Sequence, residues 1–112
     1  MAGFAVLTVS QIVTYLKSTV EEDEKLKGLY VRGEIGDYRP NFISGHVYFT
    51  LKEAEASLRC VMFRSSASRL KFEPNSGMSV ILRCDVTLYS RDGTCQLVVY
   101  DIQPEGLGAA YL

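Results

Sequence analysis

Residues 46–72, HVYFTLKEAEASLRCVMFRSSASRLKF, decide the fold. Apolar Val47, Phe49 and Leu51 alternate with His46, Tyr48, Thr50 and Lys52, the period-2 pattern of a strand with one buried face. Glu53-Ala54-Glu55-Ala56 is short enough for a hairpin, and Ser57–Arg64 returns with Leu58, Cys60 and Met62 on one side and Arg59, Val61 and Phe63 on the other. Alternation then fails. Ser65–Phe72 spaces Ala67, Leu70 and Phe72 among serines and basic residues until Pro74 and Gly77 stop it, which predicts a short helix.

Towards the N-terminus, Leu29–Tyr38 sets Val31, Gly33 and Ile35 against Tyr30, Arg32 and Glu34, a first strand, and turn-rich residues 39–45 follow it. Ahead of Gly28 the period is 3.6: Val9, Ile12, Val13, Leu16 and Val20 share one face of a helix over Thr8–Val20, with Thr8 or Ser10 as N-cap. Glu21-Glu22-Asp23-Glu24 beyond it opposes the helix dipole and predicts fraying into a solvated turn. Towards the C-terminus, Met78–Ser90 alternates through Val80, Leu82, Cys84, Val86 and Leu88, Arg91-Asp92-Gly93 supplies a hairpin turn, and Cys95–Gln103 is the fifth strand, with Leu97 and Val99 inward.

Helix, three strands, a short helix and a two-stranded hairpin is the order of a mainly β fold, the five-stranded Greek-key OB barrel, carrying an extra N-terminal helix. Gly33 supplies the bend such a strand needs to close a barrel. A plain β-meander sandwich is the alternative, disfavoured by the interposed helix. The expected organisation is a helical extension packed on the barrel over 1–27, the barrel over 28–104, and the start of a linker over 105–112, whose apolar end reads as a chain cut from a longer protein.

With 112 residues and 47% apolar content, one core forms without disulfides or a structural metal. Cys60, Cys84 and Cys95 are odd in number, lie in β-rich runs and form no C-x-x-C pair, the usage of reduced core thiols in a cytoplasmic protein. No basic n-region precedes the apolar start and no run is long enough to cross a bilayer, which disfavours secretion and membrane insertion. The net charge of −1 hides an uneven distribution: residues 1–27 sum to −1, residues 28–91 to +3 with seven arginines, and residues 92–112 to −3.

Catalysis finds little support. His46 is the one histidine, no nucleophile elbow or phosphate-cradling loop accompanies it, and His and Cys lack metal-ligand spacing. Glu53 with Glu55, and Glu34 with Asp37, read as solvated turn carboxylates. The expectation is no catalytic residue, no metal and no cofactor. Binding finds more, because OB barrels lay a single strand across the outer face of strands two and three and the loops beside it. The outward residues there are His46, Tyr48, Thr50, Lys52, Arg59 and Phe63, with Arg32 on the neighbouring strand and Arg64 closing strand three. The first loop adds Tyr38, Arg39, Asn41 and Phe42, and the loop between strands four and five adds Tyr89 and Arg91. Aromatic rings stack on bases and cations follow phosphates.

Leu7-Thr8-Val9-Ser10-Gln11, Val31-Arg32-Gly33-Glu34-Ile35, Ser44–Lys52 (SGHVYFTLK), Arg59–Arg64 (RCVMFR) and Pro104-Glu105-Gly106-Leu107-Gly108 follow one another as ordered blocks over nearly the whole chain. They resemble the N-terminal OB domains of exodeoxyribonuclease VII large subunits. That resemblance implies a bacterial enzyme degrading single-stranded DNA to short oligonucleotides, in which this domain holds the strand, a separate nuclease domain cuts it, and a helical region recruits small subunits. The nuclease domain, with its catalytic residues, is outside this chain. An RNA-binding barrel like the anticodon-reading domains of class II aminoacyl-tRNA synthetases, and a structural adaptor packing on another domain, are the competing readings, since fold alone does not choose among them.

Overall fold

Thr8 opens α1 (Val9–Glu22) with a reciprocal cap: its hydroxyl accepts the Gln11 N–H at 3.1 Å while the Gln11 side-chain oxygen accepts the Thr8 N–H at 2.9 Å. The computed structural model describes residues 5–105. In it the helix runs beyond Val20 into the acidic cluster, because the Glu21 carboxylate accepts hydrogen bonds from Lys17, one turn back, and from the Thr87 hydroxyl of the barrel. Asp23 ends the helix and caps a 3-10 turn (Glu24–Leu26) by accepting the Lys25 N–H at 2.9 Å. A capped turn replaces the expected fraying.

The strands are β1 (Leu29–Pro40), β2 (Val47–Glu53), β3 (Ala56–Met62), β4 (Ser79–Leu88) and β5 (Cys95–Pro104), with a one-turn helix α2 (Arg64–Ala67) between β3 and β4. They close into a barrel in the order β1-β2-β3-β5-β4, with β4 returning to β1. The β3–β5 pair is parallel and the others antiparallel. Closure leaves no long unpaired edge. β1 makes it possible by changing partners along its length, pairing with β4 over residues 29–34 and with β2 over residues 34–40. Two glycines sit at the changeover: a Cβ on Gly33 would lie 2.7 Å from Leu51 Cγ, and one on Gly36 2.8 Å from Thr50 Oγ1. The register slips between Gly36 and Arg39, where Asp37 takes a φ of 48°, and this bulge turns the strand.

The alternating inward residues fill the interior, with Ile35, Leu82, Cys84 and Leu97 fully sealed from water. Burial, then the nearby Cys84, pushes the Cys60 thiol up to about 12; burial, then Asp85, pushes Cys84 up to about 11. All three cysteines are free thiols.

Two further expectations change. The interposed helix is one turn rather than Ser65–Phe72, although Leu70 and Phe72 still pack against the core from irregular chain. Val61, turned outward by alternation, is buried because it lies mid-wall, paired with Tyr48 on one side and Val98 on the other. No residue of α1 is buried; the helix meets the barrel where Val13 lies against Gly93 and where Glu21 reaches Thr87. The expected linker, 105–112, lies outside the described residues apart from Glu105. Among the described residues no helix is long and apolar enough to cross a membrane.

Candidate nucleic-acid interface

Directly paired residues on neighbouring strands face the same side of a sheet, so the register strings outward side chains into rungs around the barrel. One rung runs Arg39, Tyr48, Val61, Val98 and Asp85, from β1 through β2, β3 and β5 to β4. The next runs Gly36, Thr50, Arg59, Gln96 and Thr87. Where these rungs cross β2 and β3 they line a groove of about 630 Å³. Asp37 and Arg39 form its β1 wall, and Tyr89, Asp92 and Thr94 of the β4–β5 turn overhang the other side. Tyr48 and Tyr89 keep 44% and 45% of their surfaces in water, a large exposure for aromatic rings in a concave site.

Of the residues expected from sequence, the groove brings together Arg39, Tyr48 and Arg59, with Thr50 and Tyr89. Lys52 stands one rung away and extends over Gly36, its ammonium 3.9 Å from where a Cβ there would be. Arg91 is exposed in the β4–β5 turn. Arg39, Lys52, Arg59 and Arg91 make no ion pair among the described residues, which leaves four cations available on or beside this wall.

The other expected residues go elsewhere. Arg32 lies on the β1–β4 wall, where its Nε donates to both carboxylate oxygens of Glu105 at 2.7 and 2.9 Å. Tyr38 follows the bulge and packs against the core, its ring centroid 6.2 Å from that of Phe49; burial, then Glu73, raises its phenol pKa. His46 precedes β2, and its Nδ1 accepts the Arg64 N–H at 2.9 Å while Phe63 meets it edge-on at 5.3 Å. The Arg64 stem packs over Gly45, whose φ of 80° and lack of a Cβ permit the contact. His46 and Arg64 thus brace the end of the β2–β3 hairpin. Phe63 is 45% exposed but turns towards a different groove, on the β4–β5 side.

Sequence reasoning missed Asp37, Asp92, Thr94 and Gln96. Gln96 enters through the parallel β3–β5 pairing, and Asp37 through the bulge, neither of which leaves a mark in local alternation. The Asp92 carboxyl is held below its ordinary range by hydrogen bonds from Thr94, with Arg59 adding a weaker attraction. Two carboxylates therefore balance Arg39 and Arg59 within the groove, and Lys52 and Arg91 at its margins tip the region positive. Among the described residues there is no group of three or more His, Cys, Asp or Glu placed to hold a metal ion.

The family model described as an OB-fold nucleic acid binding domain matches residues 7–103. The chain is 43% identical over 106 residues to an exodeoxyribonuclease 7 large subunit from Alkaliphilus oremlandii, covering 95% of this chain and 26% of that protein. It is 46% identical over 106 residues to the protein of the same name from Natranaerobius thermophilus, covering 95% and 25%. The chain thus spans about a quarter of the length of these curated relatives. Among solved structures, asparaginyl-tRNA synthetase from Pyrococcus horikoshii superposes with a TM-score of 0.52 at 17% identity over 76% of this chain and 21% of that one, a likeness of fold alone.

Proposed function

The chain belongs to the family of OB-fold nucleic acid binding domains, and on that premise we propose that it is the module of an exodeoxyribonuclease VII large subunit that holds single-stranded DNA for a nuclease domain elsewhere in the protein. The observation that carries this reading is the meeting of Arg39, Tyr48 and Arg59 in one groove, with Tyr89 at its rim. Tyr48 offers a base a stacking face, the arginines flank the path of the phosphates, and Lys52 and Arg91 extend the cationic margin. Hydrolysis belongs to the three quarters of the relatives' length that this chain does not span, as does recruitment of small subunits. The protein works in the cytoplasm, where its DNA substrate is found.

Fluorescence anisotropy with labelled single-stranded DNA, single-stranded RNA and duplex DNA, at two salt concentrations, tests the reading. Single-stranded DNA binds most tightly, with a log–log salt slope of about −3 or shallower, since four cations engage at most four phosphates at roughly 0.7 each. A preference for RNA moves the assignment to an RNA-binding barrel, and no binding to any of the three removes it in favour of a protein-packing role.

A further inference from the structure

We propose that the bound strand continues past the β2–β3 groove onto a second groove, formed by the outer faces of β4 and β5 and the C-terminal half of α1. This extension rests on the single-strand reading above. The second groove measures about 610 Å³ and shares Tyr89 and Gln96 with the first. It is the next sector of the same two rungs, which pass from Gln96 to Thr87 and from Val98 to Asp85. A strand leaving Arg59 therefore meets a continuation of the wall it already lies on.

The chemistry repeats that of the first groove. Phe63 supplies a half-exposed ring at one margin, Val98 an apolar floor, and Lys27 an ammonium at the other margin. The two carboxylates lining the groove are already engaged: Glu21 by Lys17 and Thr87, and Asp85 by the Gly28 N–H and the Tyr100 hydroxyl, both at 2.8 Å. Among the described residues Lys27 makes one ion pair, an exposed one with Glu24 at 3.5 Å, weak enough to yield to a phosphate, with Glu21 adding a longer-range attraction. Phe63, which does not line the first groove, acquires a role here, and so does the C-terminal half of α1, which contributes nothing buried to the core.

The test is the affinity of the 112-residue chain for oligothymidylates of about 4 to about 16 nucleotides, the span OB folds take, measured for the wild type and for Phe63→Ala and Lys27→Gln. The wild type gains affinity with length beyond the shortest oligomers that bind. Each variant keeps the short-oligomer affinity within about twofold; on the longest, Phe63→Ala loses about fivefold or more, the low end of what one stacked base contributes, and Lys27→Gln loses affinity and makes the log–log salt slope shallower by about 0.7. Lys27→Gln leaves the His46–Phe63 packing untouched, so a folding defect in Phe63→Ala does not spoil the comparison. Variants that weaken all lengths alike, or none, overturn the extension. If short oligomers bind, and Tyr48→Ala weakens them, the first groove survives that loss; if no oligomer binds the wild type, the single-strand reading fails and takes the extension with it.

Discussion

Nearly half of the Tyr48 surface stays in water although its neighbours along β2, Val47 and Phe49, are buried. Keeping that ring exposed forgoes the stabilisation that burying an aromatic side chain brings, and its partners across the rung, Arg39 and the buried Val61, frame a flat ring between a cation and an apolar floor. Tyr48→Ala weakens single-strand binding by about 1–3 kcal/mol, the usual cost of losing one base–aromatic stack, and leaves the melting temperature nearly unchanged. Anisotropy paired with thermal denaturation reads both; a lost fold or an unchanged affinity counts against the assignment. Tyr38 shows why residue type alone does not place a side chain in the groove. It looks as suitable as Tyr48 in sequence, but the bulge at Asp37 rotates it against Phe49, and no local pattern announces a bulge. His46 was equally opaque, since its partner, the Arg64 backbone N–H, lies 18 residues along the chain.

At the scale of elements, β1 to β5 are legible because a closed barrel with a solid interior favours alternation, which the strands carry apart from the bulge in β1, the register slip between β4 and β5 and the buried Val61 of β3. Boundaries drifted where packing overrode propensity. The interposed helix is shortened to one turn, with Leu70 and Phe72 reaching the core from irregular chain, and α1 is lengthened because Glu21 is tied to Thr87. That tie makes the helix docking sensitive to acid. Hydrogen bonds from Lys17 and then Thr87 hold the Glu21 carboxyl below its ordinary value of 4.5. Its contribution is therefore fully present above that value and is lost as pH falls through the lower folded-state value. Measured against the intrinsic exchange rate at each pH, amide protection in the last turn of α1 falls on acidification while β4 and β5 stay protected, and in Glu21→Gln that protection is low and no longer varies with pH. Simultaneous loss of protection in helix and barrel would show instead that the helix and barrel open as one unit.

For the whole molecule, a net charge of −1 points away from nucleic acid until the cations are placed in space. Arg32 is neutralised by Glu105, 73 residues away, on the far wall, while Arg39 and Arg59 converge on the groove. Periodicity specified the strand list and so the barrel, but the parallel β3–β5 pairing that brings Gln96 beside Arg59 is a long-range contact that only the closed topology creates. The central claim is that single-stranded DNA lies across the rungs of Arg39–Tyr48 and Thr50–Arg59. An NMR titration of the isotopically labelled chain with a short oligothymidylate tests it most directly. The largest amide shifts are expected at Arg39, Tyr48, Thr50, Arg59 and Gln96, with the β1–β4 wall around Arg32 and Arg83 unmoved. Shifts centred on that wall, or none at saturating oligomer, would contradict it.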